Sequence, residues 1–158
     1  MKGIVMTRID DRLIHGQVMT SWLNYTCANK IMIIDDEVEQ DNFVKSVLKT
    51  CVPANVMLAV FNVEDAAVRL KKGFKDSDRV IILVKFPETL LRLKQLGVTL
   101  DKINVGGMGA LESRKKFFKN ISCSELEKNI FRELISEGSK ISIQIIAEDN
   151  AVDIARLL

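Results

Sequence analysis

The amino-acid sequence predicts an α/β fold, in which a mostly parallel central sheet of about six or seven strands is flanked by helices on both faces. Short apolar runs rich in Ile and Val alternate with longer amphipathic segments along the whole chain. Several short runs, such as residues 80–84, are apolar at every position, which is typical of strands covered on both faces. The length of 158 residues, 47% of them hydrophobic, suits one domain that spans residues 1–158.

Six runs enriched in β-branched residues predict the strands. They cover residues 3–7, 30–34, 55–59, 79–84, 102–105 and 140–145. The segments between them repeat apolar residues every three or four positions, which predicts helices. These helices cover residues 16–25, 39–51, 63–72, 88–96 and 124–137, with a short one after residue 149. Gly73, Gly97 and Gly138 each follow a helical pattern and are typical of helix C-terminal caps, whereas residues 106–120 match no regular pattern.

Charge and hydropathy argue against several classes of protein. The 23 Lys and Arg residues are interspersed with 21 Asp and Glu residues, so we expect no nucleic-acid partner. Two denser basic groups, residues 71–72 and 114–116, are interpreted as solvated helix or loop surfaces, with a docking patch for an acidic protein as the alternative. No stretch approaches the ~18 apolar residues of a membrane span, and the amino terminus lacks the apolar segment of a signal peptide. We therefore expect a cytoplasmic protein.

The three cysteines, Cys27, Cys51 and Cys123, are widely spaced and form no CxxC pair. With a single histidine in the chain they do not supply the ligands of a zinc site, and we expect neither a metal nor a cofactor. We interpret the cysteines as free, buried thiols in a reducing compartment.

That single histidine lies in the stretch RIDDRLIHGQV, residues 8–18. The first strand is expected to end near Thr7 or Arg8, and the next helix to begin near Gly16. In an open parallel sheet, the carboxyl ends of the strands form the rim where ligands bind. His15 is therefore expected at this rim, close to the amino terminus of a helix.

The same stretch suits an anion such as a phosphate. Backbone N–H groups at a helix start, here those of Gly16 and Gln17, are unpaired and carry the positive end of the helix dipole. Arg8 and Arg12 add two permanently charged groups that suit phosphoryl oxygens. Together these groups predict a phosphate-binding loop.

A histidine in such a loop has a specific chemical use. A neutral imidazole is nucleophilic, so His15 can accept a phosphoryl group and pass it on, while the protein supplies position and charge neutralisation. Asp10 is expected to orient an arginine or the imidazole N–H. The alternative is that His15 is an ordinary capping or core residue in a solvated, charged loop.

Three further segments follow predicted strands at the same rim. Gly106 and Gly107 either let the backbone approach a ligand or form a tight turn. They do not have the full spacing of a nucleotide-binding glycine motif. Residues 35–37, Asp-Asp-Glu, are interpreted as an acidic helix amino terminus rather than a cation site. Lys85 is a candidate for assisting phosphate or partner binding, although a solvated lysine is the simpler interpretation.

The RIDDRLIHGQV stretch closely resembles the IIB subunits of the mannose, fructose and sorbose family of the bacterial phosphoenolpyruvate-dependent sugar phosphotransferase system. The similarity continues through residues 35–38, 79–85 and 104–108 and covers nearly the whole chain. The resemblance implies a cytoplasmic phosphocarrier in which His15 matches the histidine phosphorylated on Nδ1. Arg8, Asp10 and Arg12 match the residues that surround it.

The resemblance also implies the partners. The family's histidine receives its phosphoryl group from the phosphohistidine of a IIA subunit and delivers it to a sugar transported by membrane IIC and IID subunits, with which the IIB subunit associates peripherally. One departure is at residues 146–149, Ile-Ala-Glu-Asp, where many relatives have a proline. A non-catalytic domain that senses a phosphorylated ligand through the same arginine-rich loop remains the alternative.

Overall fold

The computed structural model describes residues 1–158 except for the side chains of Gln17 and Val18. The strands are β1 (Ile4–Asp10), β2 (Lys30–Ile34), β3 (Met57–Phe61), β4 (Val80–Val84), β5 (Lys102–Gly107), β6 (Lys115–Phe118), β7 (Ile121–Cys123), β8 (Lys140–Ile143) and β9 (Val152–Asp153). The helices are α1 (Gly16–Thr26), α2 (Asp36–Gln40), α3 (Asn42–Thr50), α4 (Val63–Lys71), α5 (Pro87–Gln95) and α6 (Glu125–Ser136), with a final 3-10 turn at Ile154–Arg156.

The central sheet has the strand order β3-β2-β4-β1-β5-β8-β9. The first six strands of this order are parallel, and only β9 pairs antiparallel. Strands β6 and β7 form a separate antiparallel hairpin. The predicted α/β class and the predicted mostly parallel sheet of six or seven strands are therefore confirmed.

Two apolar layers cover the sheet, one on each face. In β2, Ile31 and Ile33 join the layer beneath α1, α2 and α3, whereas Met32 and Ile34 join the layer beneath α4, α5 and α6. This alternation follows from the period of two in a strand, and it explains why β2 and β4 are apolar at almost every position. The chain leaves β1 over one face and leaves β4 for β5 over the other. The carboxyl end of β1 therefore lies next to a topological switch point, where ligand sites of such sheets occur.

The first strand is longer than predicted. It continues to Asp10 because its neighbours continue beside it: Arg8 pairs with Leu83 of β4 and Asn104 of β5, and Asp10 pairs with Gly107 of β5. Arg8 and Asp10 thus belong to the strand, and the loop that carries His15 begins only after them.

Other boundaries differ for local reasons. The single helix predicted over residues 39–51 is divided into α2 and α3, because Asp41 stops one helix and caps the next by accepting a hydrogen bond from the Val44 N–H at 3.0 Å. Asp35 caps α2 in the same way, which agrees with the interpretation of residues 35–37 as an acidic helix start. The unassigned segment contains the end of β5 and the strand β6, and β9 with a 3-10 turn replaces the predicted final helix.

The expectation of three buried thiols is wrong for two of them. Cys27 and Cys51 are exposed, and only Cys123 is buried. Burial raises the pKa of Cys123 to about 12, so this thiol stays protonated at neutral pH.

In the part of the chain that the structure describes, no helix is both long enough and apolar enough to cross a membrane.

Candidate active site

Asp10 is the last residue of β1 and has no exposed surface. Its Oδ2 accepts hydrogen bonds from Arg8 Nη2 at 3.1 Å, Arg12 Nη2 at 3.3 Å and His15 Nε2 at 3.1 Å. Its Oδ1 accepts from Nε of Arg12 at 3.1 Å and from the backbone N–H of the same residue at 3.2 Å. One buried carboxylate therefore holds the two predicted arginines and the only histidine in the sequence together.

Asp10 remains a carboxylate at neutral pH. Burial by itself raises the pKa of Asp10, but the hydrogen bonds from Arg12 and His15 and the charge of Arg8 outweigh burial and hold this pKa below its usual range. A carboxylate only accepts hydrogen bonds, so the histidine nitrogen that faces it, Nε2, carries a proton. In the neutral ring, the lone pair is then on Nδ1.

Arg8 lies inside the protein rather than in a phosphate-binding loop. Its side chain is 2% exposed, and its guanidinium donates to the Asn104 side chain and to the backbone carbonyls of Gln144 at 3.0 Å and Ile145 at 2.9 Å. The guanidinium also lies 5.4 Å from the ring centre of Trp22. These contacts leave it no access to an external anion. Arg8 instead links Asp10 to β5 and to the two residues that follow β8.

Arg12 and His15 are the members of this group that reach the surface. The side chain of Arg12 is 46% exposed and that of His15 is 22% exposed, although both contact the fully buried Asp10. Within this group, the side chains that an external ligand can reach are therefore one arginine and one imidazole.

The loop between them has a fixed shape. Leu13 adopts a left-handed backbone conformation with φ of 57°, and its N–H donates to the Asp10 carbonyl at 2.9 Å. Such a conformation costs about 1–3 kcal/mol in a non-glycine residue and persists where the surroundings enforce it. Here the side chains of Leu13 and Ile14 are buried in the apolar layer beneath α1. This turn brings His15, the N-cap residue of α1, back to Asp10.

Gly106 and Gly107 make room for the buried charges. A Cβ on Gly106 would lie 1.9 Å from Cζ of Arg8, and a Cβ on Gly107 would lie 2.6 Å from Oδ1 of Asp10. Both glycines are the last two residues of β5 and therefore do not form the tight turn considered from the sequence. Lys85 directly follows β4 at the same end of the sheet and is partly exposed.

We expect Gly106→Ala to destabilise the fold by about 1–3 kcal/mol, because the added methyl group must displace the buried guanidinium of Arg8. Urea unfolding followed by circular dichroism measures this loss. Gly109→Ala is the milder comparison and not a neutral one, because its Cβ would meet one carboxylate oxygen, Asp11 Oδ2, at 3.2 Å, whereas the Cβ on Gly106 would meet a buried guanidinium at 1.9 Å. Equal unfolding free energies for the Gly106→Ala variant and the wild type would show that Arg8 is not held where the structure places it.

Of the remaining predicted residues, Gly16 is exposed and begins α1, and the side chain of Gln17 lies outside the described residues. Arg114 was predicted to be part of a solvated basic surface, and this is wrong. Its side chain has no exposed surface and is paired with Glu127.

Asn104 was not identified from the sequence as the partner of Arg8. An arginine in a central strand was the available signal, because a buried charge needs such a partner.

The chain matches the family described as PTS system sorbose subfamily IIB component over residues 4–158. It is 29% identical over 158 residues to the PTS system fructose-specific EIIB component of Bacillus subtilis, covering 100% of this chain and 97% of that protein. The solved IIBSor domain of the sorbose permease from Klebsiella pneumoniae superimposes with a TM-score of 0.91 at 31% identity, covering 99% of this chain and 95% of that one. The PTS system mannose-specific EIIAB component of Escherichia coli is 31% identical over 146 residues, which are 92% of this chain and 45% of that protein. This chain therefore belongs to the sorbose subfamily of IIB components of the sugar phosphotransferase system, the PTS.

Proposed function

We propose that this chain is a phosphocarrier: His15 accepts a phosphoryl group from the phosphohistidine of a IIA subunit and delivers it to a sugar entering through membrane IIC and IID subunits. Its family consists of PTS components, so the chain is a phosphotransferase-type protein of sugar transport. In this role it acts in the cytoplasm, as one domain over residues 1–158, and associates peripherally with the membrane transporter.

The observation that carries the proposal is the 3.1 Å contact between His15 Nε2 and Asp10 Oδ2. By keeping the proton on Nε2, the carboxylate leaves the Nδ1 lone pair free to attack phosphorus. The new Nδ1–P bond forms as the P–N bond to the IIA histidine breaks, and that electron pair returns to the IIA imidazole. In the second step a sugar hydroxyl attacks phosphorus as the Nδ1–P bond breaks. The electron pair of that bond returns to Nδ1 of His15, and the hydroxyl proton passes to solvent.

Two positive groups neutralise the transferred phosphoryl group in this proposal. Arg12 is partly exposed and is held by the same carboxylate as the nucleophile, so its position relative to His15 is set by Asp10. His15 also stands at the amino terminus of α1, the positive end of the helix dipole. Phosphoryl transfer needs chiefly position and charge neutralisation, and this arrangement supplies both.

The names of the relatives support the proposed partners. The mannose-specific relative is called an EIIAB component, which joins a IIA and a IIB part in one chain and favours a IIA subunit as the phosphoryl donor. The relatives carry the names of different sugars, fructose, sorbose and mannose, while their IIB parts align with this one. This is consistent with a IIB component that delivers the phosphoryl group while other subunits select the sugar.

The test is intact-mass measurement at mildly alkaline pH after incubation with phosphoenolpyruvate, the general phosphotransferase proteins and a panel of IIA subunits. One added phosphoryl group that is lost in acid and depends on IIA supports a carrier. An unmodified chain in the presence of every phosphorylated IIA subunit contradicts the proposal. Reversible phosphate binding in that case would favour a phosphate-sensing domain.

We expect Arg12→Ala to slow phosphoryl transfer from phosphorylated IIA by about 100-fold, because one charged donor to the transferred group is removed. Arg12→Lys is the matched control. It keeps the charge without the two-pronged geometry, and we expect an intermediate rate. Quench-flow measurement of a single turnover gives both rates. A wild-type rate in Arg12→Ala would remove Arg12 from the mechanism.

A further inference from the structure

We propose that Asp11 is a positioning residue for phosphoryl transfer, which latches the His15 loop, residues 11–15, to the loop that follows β5, residues 108–114. The inference rests on the proposed function, because it concerns the same histidine. Asp11 was not among the residues that the sequence singled out. Its neighbour Asp10 points into the protein, whereas Asp11 reaches sideways to a second loop.

The latch consists of two contacts to one carboxylate oxygen and one backbone hydrogen bond. Asp11 Oδ2 accepts a hydrogen bond from the Gly109 N–H at 2.6 Å and lies 3.6 Å from Arg114 Nη1. The Asp11 N–H donates to the carbonyl of Gly107 at 3.1 Å. A Cβ on Gly109 would lie 3.2 Å from the Asp11 oxygen, so a residue without a side chain suits this close approach. The His15 loop is therefore joined to residues 108–114 through the side chain of Asp11 and to the end of β5 through its backbone.

The far side of the latch is anchored in the protein. Arg114 has no exposed side-chain surface, and its Nη1 donates to the Gly109 carbonyl at 2.8 Å. Its Nε and Nη2 donate to the Glu127 carboxylate at 2.7–3.0 Å. Glu127 also accepts from the backbone N–H of Ser124, which caps α6. The loop that receives Asp11 is thus tied to the start of a helix.

The His15 loop has few other restraints at its outer edge. Asp10 holds the arginine and the imidazole from beneath, and Leu13 and Ile14 hold the middle of the loop in the core. Asp11 is 25% exposed and restrains the first residue of the turn from the side. Since a misplacement of about 1 Å can cost about 100-fold in rate, a restraint at this point affects the attack angle of Nδ1.

A positioning role predicts a change in kcat rather than in KM. For transfer from phosphorylated IIA, we expect Asp11→Ala to lower kcat by about 10-fold and to leave KM within about two-fold of wild type. Asp11→Asn retains an oxygen that accepts from the Gly109 N–H, so it is expected to recover most of the rate. Amide hydrogen exchange at Gly109 should be faster in Asp11→Ala and close to wild type in Asp11→Asn.

Glu112→Ala is the control for the loss of an acidic charge, because Glu112 is an exposed acidic residue of the loop formed by residues 108–114. We expect it to have wild-type kcat and wild-type exchange. A kcat for Asp11→Ala equal to that of Glu112→Ala would overturn the positioning role, as would a rise in KM without a fall in kcat. If Asp11→Ala fails to fold, a wild-type kcat combined with fast Gly109 exchange in Asp11→Asn would overturn it. If the wild type accepts no phosphoryl group, the proposed function fails, and the positioning role fails with it, whatever the exchange measurement shows about the latch.

Discussion

We expect the His15→Gln variant to acquire no phosphoryl group under conditions in which the wild type is fully phosphorylated. The glutamine amide is able to donate to Asp10 as Nε2 of the imidazole does, at 3.1 Å in the wild type, but it offers no nucleophilic lone pair in place of Nδ1. The variant therefore separates the nucleophile from the contact that positions it. Intact mass with phosphorylated IIA measures the result, and the added mass should fall below detection.

The fold should survive this change. His15 is partly exposed and contacts Asp10, which keeps its two arginine partners in the variant. We expect the unfolding free energy to change by no more than about 1 kcal/mol, the value of one hydrogen bond. His15→Ala is the companion variant, which removes the nucleophile and the contact together. A stoichiometric, acid-labile phosphoryl group on either folded variant would place the carrier residue elsewhere in the chain.

Much of this site could be predicted from the sequence because its parts are close together in the chain. Residues 8–15 contain Arg8, Asp10, Arg12 and His15, and a strand followed by a helix brings them to the rim of the sheet. The direction in which each side chain points could not be predicted from the sequence. Arg8 was expected to belong to a phosphate-binding loop, yet the continuation of β1 to Asp10 places it inside the protein. The boundary of one strand thus decides whether this arginine binds a phosphate or supports a carboxylate.

Contacts between residues that are far apart in the sequence could not be predicted from the sequence. Arg114 lies 103 positions from Asp11 and 13 from Glu127, and no local pattern links the three. The Ser124–Glu127 pair matches the sequence pattern of a helix cap. That pattern gives no indication that the same glutamate also binds a buried arginine. The two glycines of β5 are a similar case. Their need for space becomes visible only when Arg8 and Asp10 are placed against them.

We expect Asp10→Asn to reduce both the rate of phosphoryl transfer and the stability of the fold. The amide has one acceptor oxygen and one donor nitrogen in place of two acceptors, so it does not hold both arginines and the imidazole as the carboxylate does. The proton of the His15 ring is then no longer fixed on Nε2. Loss of the orienting carboxylate from a histidine elsewhere costs about 10⁴-fold in rate, and we expect a loss on the order of 10³–10⁴.

The stability loss has a separate cause. Arg8 is fully buried, and Asp10 is the charged residue that it contacts, so the variant leaves a buried positive charge without its counter-charge. Removing one partner of a buried ion pair typically costs about 3–5 kcal/mol. Urea unfolding measures this loss, and the exposed Glu112→Gln serves as the control for a neutralised acid. A loss below about 1 kcal/mol would show that the Arg8–Asp10 pair is not a buried, mutually dependent unit.

Asp10→Asn keeps the shape of the Asp10 side chain but removes its charge. Comparing the pH dependence of stability in this variant and the wild type therefore isolates the contribution of the charge. The pKa of Asp10 is lower in the folded protein than in the unfolded chain, so the unfolded state binds the proton more tightly. The resulting stabilisation is present above the unfolded pKa of about 3.9 and is lost as the pH falls through the lower, folded pKa. Wild-type stability should therefore decline on acidification below about pH 4 more steeply than that of Asp10→Asn, which has no proton to bind at this position. Parallel stability profiles for the two proteins between about pH 5 and pH 2 would mean that the carboxylate gains nothing from its three partners and does not fix the His15 proton on Nε2.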